Sequence, residues 1–512
     1  MNPQLTSAQA DRVAGVLLGT ACGDALGAGY EFGPPLGGSH AVGMTGGGSF
    51  GWAPGEWTDD TSMAVAIAEV TADGGSLRDD AALDRIARRW ADWARSAPDV
   101  GVQTRSVLAS AGSRPSAAML AEAASAHHAR TGQSGGNGSL MRTAPVALAF
   151  LHDPGRLNDA ARAVSALTHH DPGAGEACAV WCLAMRHAVL HGTFDGLRQA
   201  VLSLPASRAA VWTARLDEAE LYPPEHFDRN GWVVQAMQAA WSAISRTPVP
   251  GDDPGAGSFA AQHFQHALEA AVRGGGDTDT VAAIAGGLLG ARWGASAVPL
   301  AWRRILHGWP GLRGRDLIIL ALCSARNGQS RPDGWPRGRV LDYSACGDTG
   351  ALAIHPHDRL VLLGGVDAVR KPPDEVDAVV SLCRLGSAEA PAPGVDPADH
   401  VEAWLTGSAS PGGNPNLDLV LAQAADTVAA LRAEGRTVLV HCTDAVSRTP
   451  AVAALYAARH LGIPVHQALR DVRAVLPAAQ PSPAFMAALD RLGEAASAPQ
   501  KAAAQGRARP RG

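Results

Sequence analysis

The chain has 512 residues, enough for two or three domains, and its net charge of −6 excludes a general polyanion-binding surface, so no specific nucleic-acid partner is expected. Its seven cysteines are scattered without CxxC pairs, which excludes a zinc ribbon or a disulfide framework and favours a reducing cytoplasm. The longest apolar runs are well short of the ~20 residues that a membrane-spanning helix needs, so no membrane partner is expected.

Residues 1–330 are predicted to form an all-α domain. Ala-rich segments recur with helical spacing and are separated by Gly and Pro clusters, whereas the alternation typical of strands is scarce. Residues 190–260 are predicted to be irregular, as a variable insertion with a surface loop. The predicted helices are Ala10–Gly19, Met63–Thr71, Asp80–Ser96, Val146–His152, Asp159–Leu167, Gly175–Gly192 and Val281–Arg292.

Two segments place acids and hydroxyls directly before apolar helices. Oxygen donors at this density suit Mg²⁺, Mn²⁺ or Ca²⁺ better than zinc. If the two helix starts meet, their carboxylates repel unless cations lie between them, and paired cations are a familiar hydrolytic arrangement. Capping of an ordinary core helix is the alternative for each segment taken alone. The residues are Thr58, Asp59 and Asp60 in the first segment, and Asp277, Asp279 and Thr280 in the second.

A Gly-rich loop lies between the two acidic segments in the sequence. Exposed backbone N–H groups in such a loop can hold a diphosphate, and a flexible turn is the alternative. The loop is predicted to run into a helix that begins near Leu140. Its candidate binding residues are Ser134, Gly136, Asn137, Gly138 and Ser139.

Taken in chain order, these pieces resemble the ADP-ribosylglycohydrolase family, which includes the dinitrogenase reductase-activating glycohydrolase. The resemblance implies a compact helical fold and release of ADP-ribose from a protein side chain such as arginine, or from an ADP-ribose-containing small molecule. The matching motifs are Gly23–Gly27 with Glu31, Trp57–Thr61, Ser134–Arg142, Thr168–His169 and Gly275–Thr280.

The resemblance also implies residue roles. The six acids and hydroxyls named above would bind two Mg²⁺ or Mn²⁺ ions. Glu31, with which the first motif ends, would lie beside the metals near the scissile ribose bond. Asp99 matches a catalytic acid, although without the resemblance a helix cap is the favoured interpretation. His169 would contact the ligand, and a structural histidine is the alternative.

The composition changes after residues 331–354, which are predicted to be a linker. Apolar runs at 360–363 and 376–382 are typical of strands, and Asp418–Ala433 is predicted to be a helix. A short strand at Thr437–Val440 leads into a loop and then a helix at Pro450–His460. Strand, loop and helix in this order are typical of an anion site at a helix N-terminus. Residues 496–512 are predicted to be a disordered tail.

Cys442 and Arg448 stand in that loop with the spacing HCx5R. Loop N–H groups and the guanidinium can hold a phosphoryl group, and the same positive field lowers a thiol pKa. A buried structural cysteine with a capping arginine is the alternative. Residues 355–495 resemble the dual-specificity branch of the Cys-based phosphatases. That resemblance implies an α/β domain with a phosphorylated substrate, Cys442 as nucleophile, Arg448 as phosphoryl clamp and Thr449 as hydrogen-bond donor to the departing thiolate.

The usual general acid of these phosphatases is absent from the matching region. Residues 407–414 contain no carboxylate, Asp399 comes too early and Asp418 opens a helix. Leaving-group protonation contributes about 10²–10⁴-fold, so turnover is expected to be slow, limited to good leaving groups, or replaced by phosphate binding. The sequence therefore predicts an all-α ADP-ribosylglycohydrolase-like domain (1–330) followed by an α/β Cys-based phosphatase-like domain (355–495). The alternative is a protein that binds ADP-ribose and phosphate, with an inactive phosphatase-like domain.

Overall fold

Helices of the N-terminal half carry wide apolar faces and pack on one another. The computed structural model describes residues 5–408 and 412–493, which divide into two units. The first unit contains 5–248, 263–298 and 305–329, and the second contains 249–262, 299–304, 330–408 and 412–493. The helices up to residue 325 are α1 (Ser7–Gly27), α2 (Asp59–Ala72), α3 (Asp80–Ala94), α4 (Val102–Ala111), α5 (Ala117–Thr131), α6 (Ala144–Ala149), α7 (Pro154–Ala166), α8 (Pro172–His191), α9 (Gly196–Leu202), α10 (Ala206–Leu221), α11 (Val233–Arg246), α12 (His263–Arg273), α13 (Thr278–Trp293), α14 (Leu300–Ile305) and α15 (Gly314–Ala325).

A stripe of glycines on α1 lets its backbone touch the backbone of α13. Residues four apart share one face of a helix, and the stripe consists of Gly15, Gly19, Gly23 and Gly27. A Cβ at Gly19 would lie 2.2 Å from the carbonyl oxygen of Gly286, and one at Gly23 would lie 2.0 Å from that of Ala282. Because only glycine permits this approach, the stripe determines where the start of α13 lies against α1.

Three expectations about the first unit were wrong. α1 does not end at Gly19 as predicted, because its buried residues continue to Gly27. No helix begins near Leu140; residues Asn137–Ser139 form a single 3₁₀ turn, and the next helix begins at Ala144. The stretch 190–260 is not an irregular insertion, since most of it lies in α9, α10 and α11, whose apolar residues pack into the core.

A mixed five-stranded sheet organises the second unit. Its strands are β3 (Leu352–His355), β4 (Asp358–Gly364), β5 (Ala378–Ser381), β6 (His400–Glu402) and β7 (Val438–His441), and a two-residue ribbon in the first unit supplies β1 (His307–Gly308) and β2 (Leu312–Arg313). The order is β3-β4-β7-β5-β6, with β3 antiparallel to β4 and the other pairs parallel. Strand β7 is central and buried throughout, so the loop that follows it leaves from the carboxyl edge of the sheet. The remaining helices are α16 (Val366–Arg370), α17 (Leu417–Ala433), α18 (Arg448–His460), α19 (Val465–Val475) and a last one over 483–493.

The segment predicted as a linker, 331–354, lies within the second unit, where Trp335 and Leu341 are buried. The predicted tail, 496–512, lies outside the described residues. Across the part of the chain that the structure describes, no helix is long and apolar enough to cross a membrane.

Candidate functional site

The two acidic segments of the first unit meet at the starts of α2 and α13. The Thr58 hydroxyl lies 3.5 Å from Oδ2 of Asp279, and the Thr280 hydroxyl lies 3.3 Å from Oδ2 of Asp60. Thr58 and Asp277 occupy the N-cap positions of the two helices, yet neither side chain makes a capping hydrogen bond. Capping therefore does not account for these residues.

Carboxyl oxygens from four segments come close enough to share cations. One oxygen from each residue lies within 4.8 Å of the others in the sets Asp24–Asp60–Asp279 and Glu31–Asp277–Asp279. Asp24 received no role in the sequence analysis. Both of its oxygens accept backbone N–H groups at the start of α2, from the N-cap residue Thr58 and from Thr61, each at 2.9 Å. The sequence feature that could have identified Asp24 is the presence of a charged residue within an apolar helix.

Burial and like charge dominate the electrostatics of this cluster. The acids whose pKa is raised well above the usual range are Asp59, Asp60 and Asp279. Burial is the largest cause in each, and neighbouring carboxylates add to it. Burial and then the charge of Asp277 raise the pKa of Glu31 to about 9 and that of Asp99 to about 6. The cluster holds more negative charge than its surroundings stabilise.

Oxygens without partners indicate what the cluster is suited to bind. Oδ1 of Asp60 and Oε2 of Glu31 are buried and have no hydrogen-bond partner within residues 5–408 and 412–493. Leaving a buried acceptor unpaired costs about 1–3 kcal/mol, and more for a charged group. Carboxylate and hydroxyl oxygens in this number fit hard divalent cations such as Mg²⁺ or Mn²⁺.

The Gly-rich loop is tied directly to the acidic cluster. Nδ2 of Asn137 donates to Oδ2 of Asp277 at 2.8 Å and to the carbonyl oxygen of Asn230 at 2.9 Å. Asn230 in turn accepts the backbone N–H of Asp277 and donates to the carbonyl oxygen of Gly275. Asn230 lies in the stretch that was predicted to be irregular, so sequence reasoning missed it.

A cleft of about 670 Å³ borders the loop on the side of Ser134 and Gly136. Its polar and aromatic lining includes Gln103, Ser134, Asp171, Arg229 and Trp232. Ser139 does not line it, because its hydroxyl is buried and accepts the thiol of Cys178 at 3.5 Å. Gly136 is partly exposed to this cleft, whereas Ser139 and Ser134 are both buried, and the Ser134 hydroxyl is hydrogen-bonded to Nδ1 of His128 at 2.7 Å.

His169 is held by a buried hydrogen-bond chain. The Arg142 guanidinium stacks over Trp90 and donates to the Thr168 hydroxyl at 2.6 Å, which leaves the Thr168 proton to donate to Nδ1 of His169 at 2.7 Å. Burial holds the His169 pKa well below its usual range, so the ring is neutral. Its Nε2 therefore carries the proton, and a Cβ built on Gly136 would lie 3.4 Å from it. Arg142 is therefore part of this hydrogen-bond chain and does not line the cleft.

The second unit carries a separate candidate site in the loop between β7 and α18. Arg448 is 7% exposed; it donates to the Leu405 carbonyl at 3.0 Å and to the Thr443 hydroxyl at 2.8 Å. Its Nε is buried without a partner in the described part of the chain. The Thr449 hydroxyl lies 3.4 Å from the Gly364 carbonyl, so its proton is directed there in this structure.

A directed chain of hydrogen bonds supports the start of this loop. The backbone N–H of Ala392 donates to Nδ1 of His400, so Nε2 of His400 carries a proton and donates to Ser381 at 2.7 Å. Ser381 then donates to Nε2 of His441 at 2.6 Å, and Nδ1 of His441 donates to the Cys442 carbonyl at 3.1 Å. Burial lowers the His441 pKa to about 3, which keeps this arrangement neutral.

The two acids considered as replacements for the missing general acid are engaged elsewhere. Asp399 is buried and pairs with Arg304 at 2.7 Å and Arg436 at 2.8 Å. Asp418 pairs with Arg491 at 2.7 Å. Residues 409–411 lie outside the described residues.

Several known proteins resemble parts of this chain. It is 32% identical over 307 residues to the ADP-ribosylarginine hydrolase Tri1 of Pseudomonas putida, covering 58% of this chain and 75% of that protein. It is 31% identical over 297 residues to the ADP-ribosyl-(dinitrogen reductase) glycohydrolase of Rhodospirillum rubrum, covering 57% and 89%. The solved structure of human DUSP28 matches 29% of this chain and 98% of that chain, at 21% identity and a TM-score of 0.26.

A family model described as ADP-ribosylglycohydrolase matches residues 5–331, which is more than half of the chain. That range includes the acidic cluster, the Gly-rich loop and His169. The chain belongs to the ADP-ribosylglycohydrolase family.

Proposed function

We propose that this protein is a hydrolase that removes ADP-ribose from an arginine side chain of a modified protein. The observation that carries the proposal is the meeting of Thr58–Asp60 with Asp277–Thr280 beside a Gly-rich loop. The relative from Pseudomonas putida is named an ADP-ribosylarginine hydrolase. A small molecule that contains ADP-ribose offers the same ribose and diphosphate groups and is a second substrate class.

The Gly-rich loop and its cleft are suited to orient the ADP-ribose. A diphosphate lying along Gly135 and Gly136 meets partly exposed loop backbone. Neutral His169 presents an Nε2 proton toward the same loop. Asn137 links the loop to Asp277, so a ligand bound there directs its terminal ribose toward the acids.

Hydrolysis breaks the bond between ribose C1″ and the guanidine nitrogen, adds a water hydroxyl to C1″ and returns a proton to the leaving nitrogen. Glu31 and Asp99 are the carboxyls proposed to hold the water and move protons, because both are partly exposed. The deeper Asp60 and Asp279 are almost fully buried and are better placed to hold cations.

Two Mg²⁺ or Mn²⁺ ions are proposed as cofactors. Bound divalent cations would supply charge that orients the ribose hydroxyls and stabilises the developing charge at C1″. Asp24 is left out of the ligand set, since both of its oxygens already accept backbone N–H groups. The proposed ligands are Thr58, Asp59, Asp60, Asp277, Asp279 and Thr280.

Substitution of the acids tests the proposal. Asp59→Asn and Asp279→Asn should each lower kcat/KM for ADP-ribose release from an ADP-ribosylarginine protein by at least about 100-fold. Asp80→Asn, an exposed acid at the start of α3, is the matched control. A panel of ADP-ribosylated Arg, Ser and Asp/Glu substrates identifies the acceptor. Unchanged turnover in both variants contradicts the assignment, and tight ADP-ribose binding by the wild-type chain without product indicates a binding protein instead.

A second function is proposed for the second unit, which is binding of phosphoryl groups at the loop 442–447. The supporting observation is the buried, unpaired Nε of Arg448 at the first turn of α18. If the loop also catalyses, Sγ of Cys442 attacks phosphorus as the bond to the leaving oxygen breaks, and water then cleaves the P–S bond. Arg448→Lys should weaken phosphate binding by about tenfold or more, with Arg459→Lys as the control. Cys442→Ser should abolish any turnover of an aryl phosphate, and wild-type rates in that variant contradict catalysis.

A further inference from the structure

The loop 442–447 contains a carboxylate of its own. Oδ1 of Asp444 accepts the backbone N–H of Val446 at 3.2 Å and the thiol of Cys442 at 3.8 Å. Ala445, between Asp444 and Val446, has φ of 56°, in the left-handed region. A residue in that region helps successive N–H groups face one concave side, where anions bind. One loop N–H and the thiol are therefore already paired with an anion.

We infer that Asp444 is an internal competitor for phosphoryl groups at this loop. The inference rests on the phosphoryl site proposed above. A carboxylate oxygen accepts the same donors as a phosphoryl oxygen, and two like charges in one small site repel. Arg448 keeps an unpaired Nε, so the site retains a donor for an external anion. A phosphoryl ligand binds this loop only at the cost of displacing or neutralising Asp444.

Asp444 is not placed to replace the missing general acid. In-line displacement puts the leaving oxygen on the side of phosphorus opposite the nucleophile. Asp444 instead contacts the nucleophilic sulfur itself, through the 3.8 Å approach of Oδ1 to Sγ of Cys442. A group on that side of phosphorus competes with the phosphoryl oxygens and has no path to the leaving oxygen.

Removal of the charge should strengthen phosphoryl binding. In the full chain, Asp444→Asn keeps the shape of the side chain and an acceptor for Val446 but removes the negative charge. We expect it to bind inorganic phosphate and tungstate at least about tenfold more tightly than the wild type, by calorimetry. Asp444→Ala, which also removes the acceptor, should do the same. Asp374→Asn, an exposed acid of the same unit, controls for net charge and should bind as the wild type does.

The possible results distinguish competition by Asp444 from the existence of the phosphoryl site itself. Equal or weaker binding by both Asp444 variants, with melting temperatures near that of the wild type, overturns the inference while the phosphoryl site stands. If Asp444→Asn loses stability, Asp444→Ala supplies the same comparison. Absence of phosphate binding in wild type and variants alike overturns the phosphoryl site and the inference with it. A fall in aryl phosphate turnover in Asp444→Asn, without tighter phosphate binding, assigns Asp444 to catalysis and also overturns the inference.

Discussion

The two candidate sites both lie at helix N-termini, but they are assembled in different ways. The first gathers its groups from separate segments, with Thr58 and Asp279 in contact although 221 residues apart in sequence. The second is one continuous loop between β7 and α18. A site gathered by packing depends on the whole bundle, whereas a continuous loop depends mainly on the strand and helix that flank it.

The two sites also differ in how their charge is balanced. The first accumulates buried carboxylates whose pKa values are raised, and it leaves Oδ1 of Asp60 unpaired among the residues described. The second combines Arg448 with Asp444 in a single loop. A helix N-terminus favours anions in both cases. The side chains brought to it differ, which is why we propose a cation as the ligand of the first site and an anion that competes with Asp444 as the ligand of the second.

The largest expected effect that distinguishes the two sites is the dependence of ADP-ribose release on divalent cations. A chelator should lower ADP-ribose release by at least about 1000-fold, because several kcal/mol of transition-state stabilisation would come from the bound ions. Mg²⁺ or Mn²⁺ should restore the activity and raise the melting temperature of the first unit. Phosphate binding by the second unit should be the same with and without chelator. Chelator-resistant ADP-ribose release would break the comparison.

The next largest effect is expected from a substitution that blocks the close glycine contact between α1 and α13. Gly19→Ala should destabilise the first unit by about 2–3 kcal/mol, because its Cβ would lie 2.2 Å from the carbonyl oxygen of Gly286. ADP-ribose release should fall with it, while phosphate binding by the second unit is retained. Gly37→Ala is the matched control, since a Cβ there meets nothing within 4 Å. Equal melting curves for the two variants would show that the first site does not depend on this contact.

A further expected effect is the response of the second unit to acid. His441 is buried and neutral, with its pKa lowered from 6.5 to about 3. The unfolded chain therefore binds a proton that the folded one does not, and the free energy of unfolding of the second unit should decrease as pH falls from about 6.5 toward 3. The slope from one such group is at most about 1.4 kcal/mol per pH unit. Melting curves across this range measure it, and His441→Asn should flatten the slope whereas His466→Asn, at an exposed position, should not.

The smallest expected effect concerns the hydrogen-bond chain that orients the His169 ring. Thr168→Val cannot donate to Nδ1 of His169, so the ring is free to place its proton on the wrong nitrogen. We expect kcat/KM for ADP-ribose release to fall by about tenfold, the usual scale of one misplaced hydrogen bond. Thr168→Ser keeps the hydroxyl and should restore most of the rate. A Ser variant as slow as the Val variant would point to packing rather than to the orientation of His169.

Local chemistry was readable in the sequence because it depends on neighbours along the chain. Apolar spacing predicted α2, α8 and α13 close to their observed positions, and acids before apolar runs marked both helix starts of the first site. The HCx5R segment likewise predicted a strand, a loop and a helix, which the structure shows at β7 and α18. Helix periodicity and Gly or Pro boundaries act over a few residues, so no knowledge of packing was required.

Tertiary structure decided everything that depends on distant segments. The role of Asp24 in capping α2, the bridge made by Asn230 and the backbone contact at Gly19 each join residues far apart in sequence. The sequence shows Asp444 two residues after Cys442, but its contact with Sγ of Cys442 depends on the path of the loop. Periodicity reveals which face of a helix is buried but not which helix covers it, because that choice is made by the packing of the complete chain.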